Sequence, residues 1–388
     1  MIHSEEHGGL GIVTLNSPKT LNSLNVRMIK ELHSLLNKWK QNDRISCIFL
    51  QGAGDKAFCA GGDVRSLYDS IIEQRKKDAN LPANECVEFF TKEYLLDYEI
   101  HRYPKPVVVW GDGIVMGGGI GLMAGASHRI VTERSKLAMP EITIGLYPDV
   151  AGTWFLNRMP NGWGTYLGLT GTRLNDADCI YLSLADTFMM SDEKNGLLKR
   201  LSHCKWHSRA SENKIIVTEL LKEISENFVL PQSPAKDHED LVTRMLGAQS
   251  VHEFRELLLA IPQSPQNDEW VSTGIKNFRA GSPSSAFIIF EQLRRGKRMT
   301  LEDVFRAELN LSVQCTLHPD FAEGVRALLI DKDQNPKWHP ASLETVTREW
   351  VESYFQPLWT ESQHPLRNLP FHSSCASGVP SEPIGRQS

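Results

Sequence analysis

Two glycine-rich turns, each set between a strand-like run and a helix, constrain this chain more than any other feature. The first, GAGDKAFCAGGD at 52–63, follows ISCIFLQ at 45–51 and leads into a helix starting near Val64. The second, VMGGGIGLMAGA at 115–126, follows VVVWGDG at 107–113 in the same way. Glycine lets a backbone turn sharply and approach a bound group closely. The first amides of a helix have no partner inside it. Two such ends converging would aim two N–H donors at one oxygen, and losing one donor from a hole of that kind typically costs roughly 3–4 kcal/mol. Taken alone, a glycine-rich strand–helix turn is more often a tight turn or a close packing point. GGGIGL lacks the GxGxxG spacing and the following acid of a dinucleotide loop, so that reading is rejected.

Around these turns strands and helices alternate. GIVTLN at 11–16 and HRIVT at 128–132 also read as strands. Ile29, Leu32, Leu35, Leu36 and Trp39 share one helical face, with Asn25 as its N-cap. The stretch 69–104 reads as two helices split near Pro82. Such alternation predicts a layered α/β fold with a largely parallel sheet. From about residue 174 the pattern is mainly helical, with candidates at 176–202, 212–228, 239–259, 284–295 and 300–314. Residues 232–240 and 261–270 read as loops. The division is therefore a core at 1–200, a helical region at 201–365 completing the fold, and a Ser-, Gly- and Pro-rich tail at 366–388 expected to be disordered.

The balance of charge, −5 over 388 residues, gives no global pull toward nucleic acid. LRRGKR at 293–298 reads as a solvated helix end. Seven scattered cysteines without a CxxC pair suggest neither a disulfide framework nor a zinc site. No run approaches eighteen apolar residues, so no membrane span is expected. No signal or Arg-rich presequence pattern precedes the first strand, and a cytoplasmic location is the expectation.

KAFCAGGDVRSLY at 56–68, the stretch 113–153 and NSPKTLNSLN at 16–25 together resemble the crotonase superfamily, in the family's order. The resemblance implies a spiral core of ββα repeats that binds acyl-CoA thioesters. It implies oxyanion donors at the amides of Gly62 and Gly118, and CoA-nucleotide contacts from backbone near Leu24, Ala60 and Gly61. Arg65 falls where relatives often carry a cation facing CoA phosphate. A homotrimer or hexamer is the implied assembly, with no cofactor beyond the CoA of the substrate.

The reaction class rests on the acids. Glu141 and Asp149 lie eight residues apart in MPEITIGLYPDVAGT, where the apolar setting of Glu141 argues for burial. Hydratases of the superfamily pair the glutamate matching Glu141 with a second at position 121, and this chain has Gly121. Glycine there, with Asp149, resembles the 3-hydroxyisobutyryl-CoA hydrolase branch. FFTKEYLL at 89–96, SPSSAFIIFEQLRRG at 282–296 and HPDFAEGVRALLIDKDQNPKW at 318–338 resemble it too, the first implying a site role for Glu93. What is implied is hydrolysis of a short 3-hydroxyacyl-CoA in valine degradation, on 3-hydroxyisobutyryl-CoA or 3-hydroxypropionyl-CoA. Glu141 would act as nucleophile or as general base, and Asp149 would orient it and handle the proton of the departing thiolate. Hydration or isomerisation on the same scaffold, or acyl-CoA binding without catalysis, are the competing readings. His101 and His128 read as structural.

Overall fold

The computed structural model describes residues 1–261 and 269–370. Most of the expected 261–270 loop, Cys375 and the tail beyond 370 lie outside the described residues. The described residues form nine strands: β1 (Ile2–His7), β2 (Leu10–Leu15), β3 (Cys47–Gly52), β4 (Ala57–Cys59), β5 (Val107–Gly111), β6 (Ile114–Met116), β7 (His128–Val131), β8 (Lys136–Ala138) and β9 (Thr187–Phe188). Six form one sheet in the order β1-β2-β3-β5-β7-β9, and β4-β6-β8 form a second. Among the described strands only β1 runs antiparallel to its neighbour. The apolar runs of β3 and β5 are largely buried, as parallel strands covered on both faces must be. β1, IHSEEH, is an exposed edge strand, and its polar side chains suit an edge that must not recruit another chain. The same polarity hides it from a search for apolar runs, which begins the sheet at residue 11.

After β2, which leads directly to helix, the crossovers share one pattern. A long strand of the first sheet is followed by a short strand of the second and then by helix. β3 and β4 precede α1's successors, α2 (Val64–Lys77) and α3 (Asn84–His101), where α1 is Val26–Lys40; β5 and β6 precede α4 (Gly118–Ala124). This is the expected ββα repeat. Asn25 caps α1 by accepting from the Met28 N–H at 2.9 Å. Asp63 caps α2. The short strands escape sequence reading because three residues carry no usable periodicity.

The C-terminal half departs from expectation in detail. The 176–202 run is broken into Asp176–Tyr181 and Lys194–Ser202, with β9 between them paired to β7. The 239–259 run breaks into Glu239–Met245 and Val251–Leu259, the second capped by Ser250. A single turn, Pro234–Asp237, occupies the expected 232–240 loop. One apolar cluster extends from Val13 through Phe305 to Leu369, so the C-terminal helices complete the core of the first part. A second covers the other face of the sheet, where Phe49, Val108 and Trp110 meet Val217 and Leu221 of the helix Ala210–Ser225.

Candidate active site

Gly61 (φ +102°) and Gly117 (φ +48°) adopt left-handed backbone conformations open to glycine. A Cβ on Gly61 would stand 3.3 Å from the Met116 carbonyl oxygen and 3.7 Å from the Gly118 nitrogen, so the two glycine turns meet. Leu24 fastens the first turn. Its N–H donates to the Gly61 carbonyl at 2.8 Å, and its carbonyl accepts from the Asp63 N–H at 2.7 Å. The Ala60 N–H is taken by the Leu21 carbonyl at 3.0 Å. Among the described residues, neither the Gly62 nor the Gly118 N–H goes to a backbone acceptor. Two donors therefore remain where the turns converge, one just before α2 and one at the first residue of α4.

Buried acids surround this point. Glu93, Asp97, Glu141 and Asp149 are 2%, 0%, 5% and 5% exposed, and Glu308 is fully buried. A Cβ on Gly118 would come within 2.4 Å of Glu93 Oε1, and one on Gly117 within 3.0 Å of Glu141 Oε1. Both carboxyls thus stand against the second turn. Asp149 Oδ2 accepts from the Tyr94 hydroxyl at 2.6 Å, and that hydroxyl also meets Ser312 Oγ at 2.6 Å. The two residues after Asp149, Val150 (φ +52°) and Ala151 (φ +67°), are left-handed without being glycine. Such conformations cost about 1–3 kcal/mol each and persist only where the surroundings enforce them. Glu308 does the enforcing, accepting from the Ala151 N–H at 2.7 Å and the Thr153 N–H at 2.9 Å. The turn that presents Asp149, before α5 (Gly152–Leu156), is held from the C-terminal half.

Burial dominates the electrostatics. It raises the Glu141 carboxyl well above the usual range, and the nearby Asp149 charge adds to this. It pushes Glu308 up to about 8, against the pull of the two backbone N–H groups. Asp149 rises only to about 6, because the Tyr94 hydroxyl stabilises its anion. Different surroundings of this kind are how neighbouring acids divide into different roles. Glu93 Oε1, both Asp97 oxygens and Glu141 Oε2 have no hydrogen-bond partner among the described residues. Buried polar atoms are nearly always paired, and those left unpaired concentrate at functional sites.

A family model described as enoyl-CoA hydratase/isomerase matches residues 10–355. The chain belongs to the enoyl-CoA hydratase/isomerase family. Among curated relatives, proteins named mitochondrial 3-hydroxyisobutyryl-CoA hydrolase from Gallus gallus and Homo sapiens are 37% and 36% identical, over 91% of this chain and 88% of each relative. Among solved structures, one titled a carnitinyl-CoA dehydratase from Mycobacterium thermoresistibile superposes with a TM-score of 0.80 at 32% identity, covering 92% of this chain and 96% of that one. Another, titled an enoyl-CoA hydratase from Rhodobacter sphaeroides, gives 0.78 at 29% identity, covering 92% and 97%.

Within this family fold the residues singled out from sequence fall as follows. Gly62, Gly118, Glu93, Glu141 and Asp149 share one site. Leu24 is in place, but its N–H and one carbonyl lone pair are spent on the Gly61–Asp63 turn. Arg65 is exposed and donates to the Leu329 carbonyl at 2.7 Å, tying the start of α2 to the C-terminal part. Position 121 cannot take a second glutamate as the chain stands: a Cβ there would lie 2.6 Å from Val150 Cβ and 2.9 Å from Asp97 Oδ2. His101 is half-buried, its basicity lowered by desolvation to about 3, and His128 bonds Ser127 and Thr218. Arg294 and Arg295 of LRRGKR pair with Glu291 at a helix end. Sequence reasoning missed Tyr94, Asp97, Glu308 and Ser312. The first two lie one and four residues after Glu93, a spacing that puts Asp97 on its helical face; the last two carry no local signal. Two surface clefts, about 570 Å³ beside Arg306 and Trp359 and about 300 Å³ beside Lys19 and Asp55, contain none of the acids.

Proposed function

We propose that the chain hydrolyses a short 3-hydroxyacyl-CoA thioester, 3-hydroxyisobutyryl-CoA before 3-hydroxypropionyl-CoA, to the free acid and CoASH. The observation that carries this is the acid set at the two free N–H donors, with position 121 closed to the second glutamate of a hydratase. The names of the curated relatives agree. In this reading the Gly62 and Gly118 amides hold the thioester oxygen as it gains charge. Glu141 takes the proton of the attacking water, or itself attacks to form an anhydride that water then opens. The new C–O bond forms, the C–S bond breaks, and the thiolate receives the proton that Asp149 and Glu141 manage between them. Glu93 faces the acyl part. The proposal calls on no cofactor, and it places the free acid in valine degradation. The assembly it expects is a homotrimer or hexamer.

The test is CoASH release, read with a thiol reagent, on 3-hydroxyisobutyryl-, 3-hydroxypropionyl-, acetyl- and crotonyl-CoA. Release from the 3-hydroxy substrates is expected. Consumption of crotonyl-CoA without thiol would instead match the hydratase titles of the solved structures. The pH profile carries a further expectation. Burial raises Asp149 to about 6 and Glu141 higher than its usual range, so each is protonated over a wider acid range than a free carboxyl near 4. If the carboxylates do the work, kcat/KM rises with pH through about 6 or above; a rise centred near 4 would contradict the buried-acid mechanism.

Glu308→Gln puts an amide NH₂ where two backbone N–H groups now find acceptors. One buried donor is left unpaired, at a cost of about 1–3 kcal/mol. The Val150–Ala151 turn then loses its restraint and Asp149 its position. We expect a lower Tm and a fall in kcat of about 10- to 100-fold, a range set by what small misplacements cost. Unchanged kcat with a lowered Tm would make Glu308 purely structural.

A further inference from the structure

A line of buried hydroxyls runs away from Asp149. Asp149 Oδ2 accepts from the Tyr94 hydroxyl at 2.6 Å, and that hydroxyl meets Ser312 Oγ at 2.6 Å. Ser312 Oγ meets the Tyr147 hydroxyl at 2.9 Å, and Tyr147 donates to the Glu308 carbonyl at 2.8 Å. Tyr94, Ser312 and Tyr147 are all buried. Tyr94 comes from α3, Tyr147 from the chain two residues before Asp149, and Ser312 from the helix Leu301–Leu317, one turn after Glu308. A hydroxyl owns one proton and can both donate and accept, whereas a carbonyl oxygen only accepts. With Asp149 ionised, three hydroxyl protons therefore serve four links, and the Tyr94 proton points at the carboxylate. With Asp149 protonated at Oδ2, four protons serve the four links, and every one points away from Asp149 toward the carbonyl. Passing from one pattern to the other needs hydroxyls to turn about their C–O bonds, and no oxygen has to move.

We propose that Ser312 is a positioning residue for Asp149, acting through Tyr94: it donates to the tyrosine oxygen while Asp149 is ionised and accepts from it while Asp149 is protonated, so the carboxyl keeps one place in both states. The inference rests on the hydrolase reading for the step in which Asp149 handles a proton, and on the four distances for the line itself. That proton stays on Asp149 until it leaves for the thiolate; the line carries none away, because it ends at a carbonyl. An acid that exchanges a proton would otherwise have to find a new partner at each exchange, and a buried network pays heavily for any polar atom left unpaired. The groups facing Asp149 are acidic or neutral. They are Glu93, Tyr94 and Asp97 from α3, Glu141 from the turn Glu141–Ile144, Tyr147 from its own segment, and Glu308 and Cys315 from Leu301–Leu317. Its own backbone amide and the Tyr94 hydroxyl favour its ionised form, and no lysine or arginine among the described residues acts on it.

Loss of the Ser312 hydroxyl strikes the two states unequally. Beside an ionised Asp149, Tyr94 keeps its acceptor and loses only a donor into its oxygen. Beside a protonated Asp149, the Tyr94 proton loses its acceptor, and a buried donor left unpaired is the costlier loss. The protonated state is penalised, so Asp149 titrates at lower pH. Ser312→Thr and Ser312→Val add nearly the same volume and differ in the hydroxyl alone. Two readouts follow Asp149: the acid limb of kcat/KM, and an infrared titration of its carboxylic-acid carbonyl band, identified by its loss in Asp149→Asn. Both midpoints are expected lower in Ser312→Val than in Ser312→Thr by roughly one unit, the scale of one unpaired buried donor. Ser312→Ala, which adds no volume to the packed helix, should shift in the same direction as Ser312→Val. Tyr94→Phe takes a charge-assisted bond from the anion, a stronger bond than its neutral counterpart, so both midpoints should rise. Threonine and valine variants that titrate together would overturn the proposal and leave Ser312 a spacer. A lower midpoint in Tyr94→Phe would overturn it as well, since the line would not reach Asp149 through that hydroxyl. Separated infrared midpoints in a protein that releases no CoASH would uphold the reversing line and sink the hydrolase reading instead.

Discussion

Glu141→Gln is expected to lower kcat for CoASH release by about 10³-fold or more, the scale of losing a positioned acid–base group, while a non-hydrolysable CoA thioether still binds. Glutamine copies the shape of the carboxylic acid, so the turn Glu141–Ile144 that carries it should form unchanged. What it cannot do is accept a proton from water or attack a carbonyl carbon. One Glu141 oxygen lies against Gly117 and the other has no hydrogen-bond partner among the described residues, while its own backbone amide favours the charged form. Steady-state CoASH release beside calorimetric binding of the thioether separates chemistry from affinity. Retained activity would remove Glu141 from the mechanism, whatever the family.

Gly118→Ala is expected to cost about 10²–10³ in kcat, the range measured when one oxyanion donor is lost. The added Cβ would come 2.4 Å from Glu93 Oε1 and 3.3 Å from Leu24 Cδ1. The first of these is the end of a flexible side chain, so the protein relieves the clash by moving Glu93 and tilting the Gly118 amide rather than by unfolding. The substitution therefore strikes the donor and the acid facing it together, with a modest loss of stability. Kinetics with a parallel thermal melt decides the matter. A protein that folds, melts near the parent temperature and turns over at the parent rate would show that the Gly118 N–H does not hold the developing charge.

The parts of the site that were legible in the sequence are those that chain neighbours define. The two glycine turns announced themselves because a strand, a left-handed turn and a helix start follow within a dozen residues. Glu141 and Asp149 were visible because an acid framed by LAMP and ITIGL has no local reason to be buried. Glu93 was half visible, since FFTKEYLLDY is apolar enough to bury an acid but equally permits an exposed one. Asp97 was invisible for a related reason: on a helix packed on most of its surface, an acid at one more position looks like any polar break. Tyr94, Ser312 and Glu308 were beyond reach. Ser312 is 218 residues from the hydroxyl it meets, and Glu308 is 157 residues from the amide it holds.

The ββα repeat and the acids proposed for the chemistry were implied by resemblance to the family; by itself the sequence determined the layered α/β order, the capped first helix and the two glycine turns. All of these depend on interactions within a few turns of chain, where backbone preference and apolar period act directly. The tertiary structure alone decided that the polar N-terminal run becomes an edge strand, that the 176–202 helix yields a strand to β7, and that a strained Val150–Ala151 turn stays put. It also decided the ionisation of the acids. A carboxyl's proton affinity is set by what surrounds it in space: Asp149 is held near 6 by a tyrosine hydroxyl from α3, while Glu308 reaches about 8 in spite of two N–H donors. Desolvation and charge act through a few ångströms of packed protein, and chain distance does not record them.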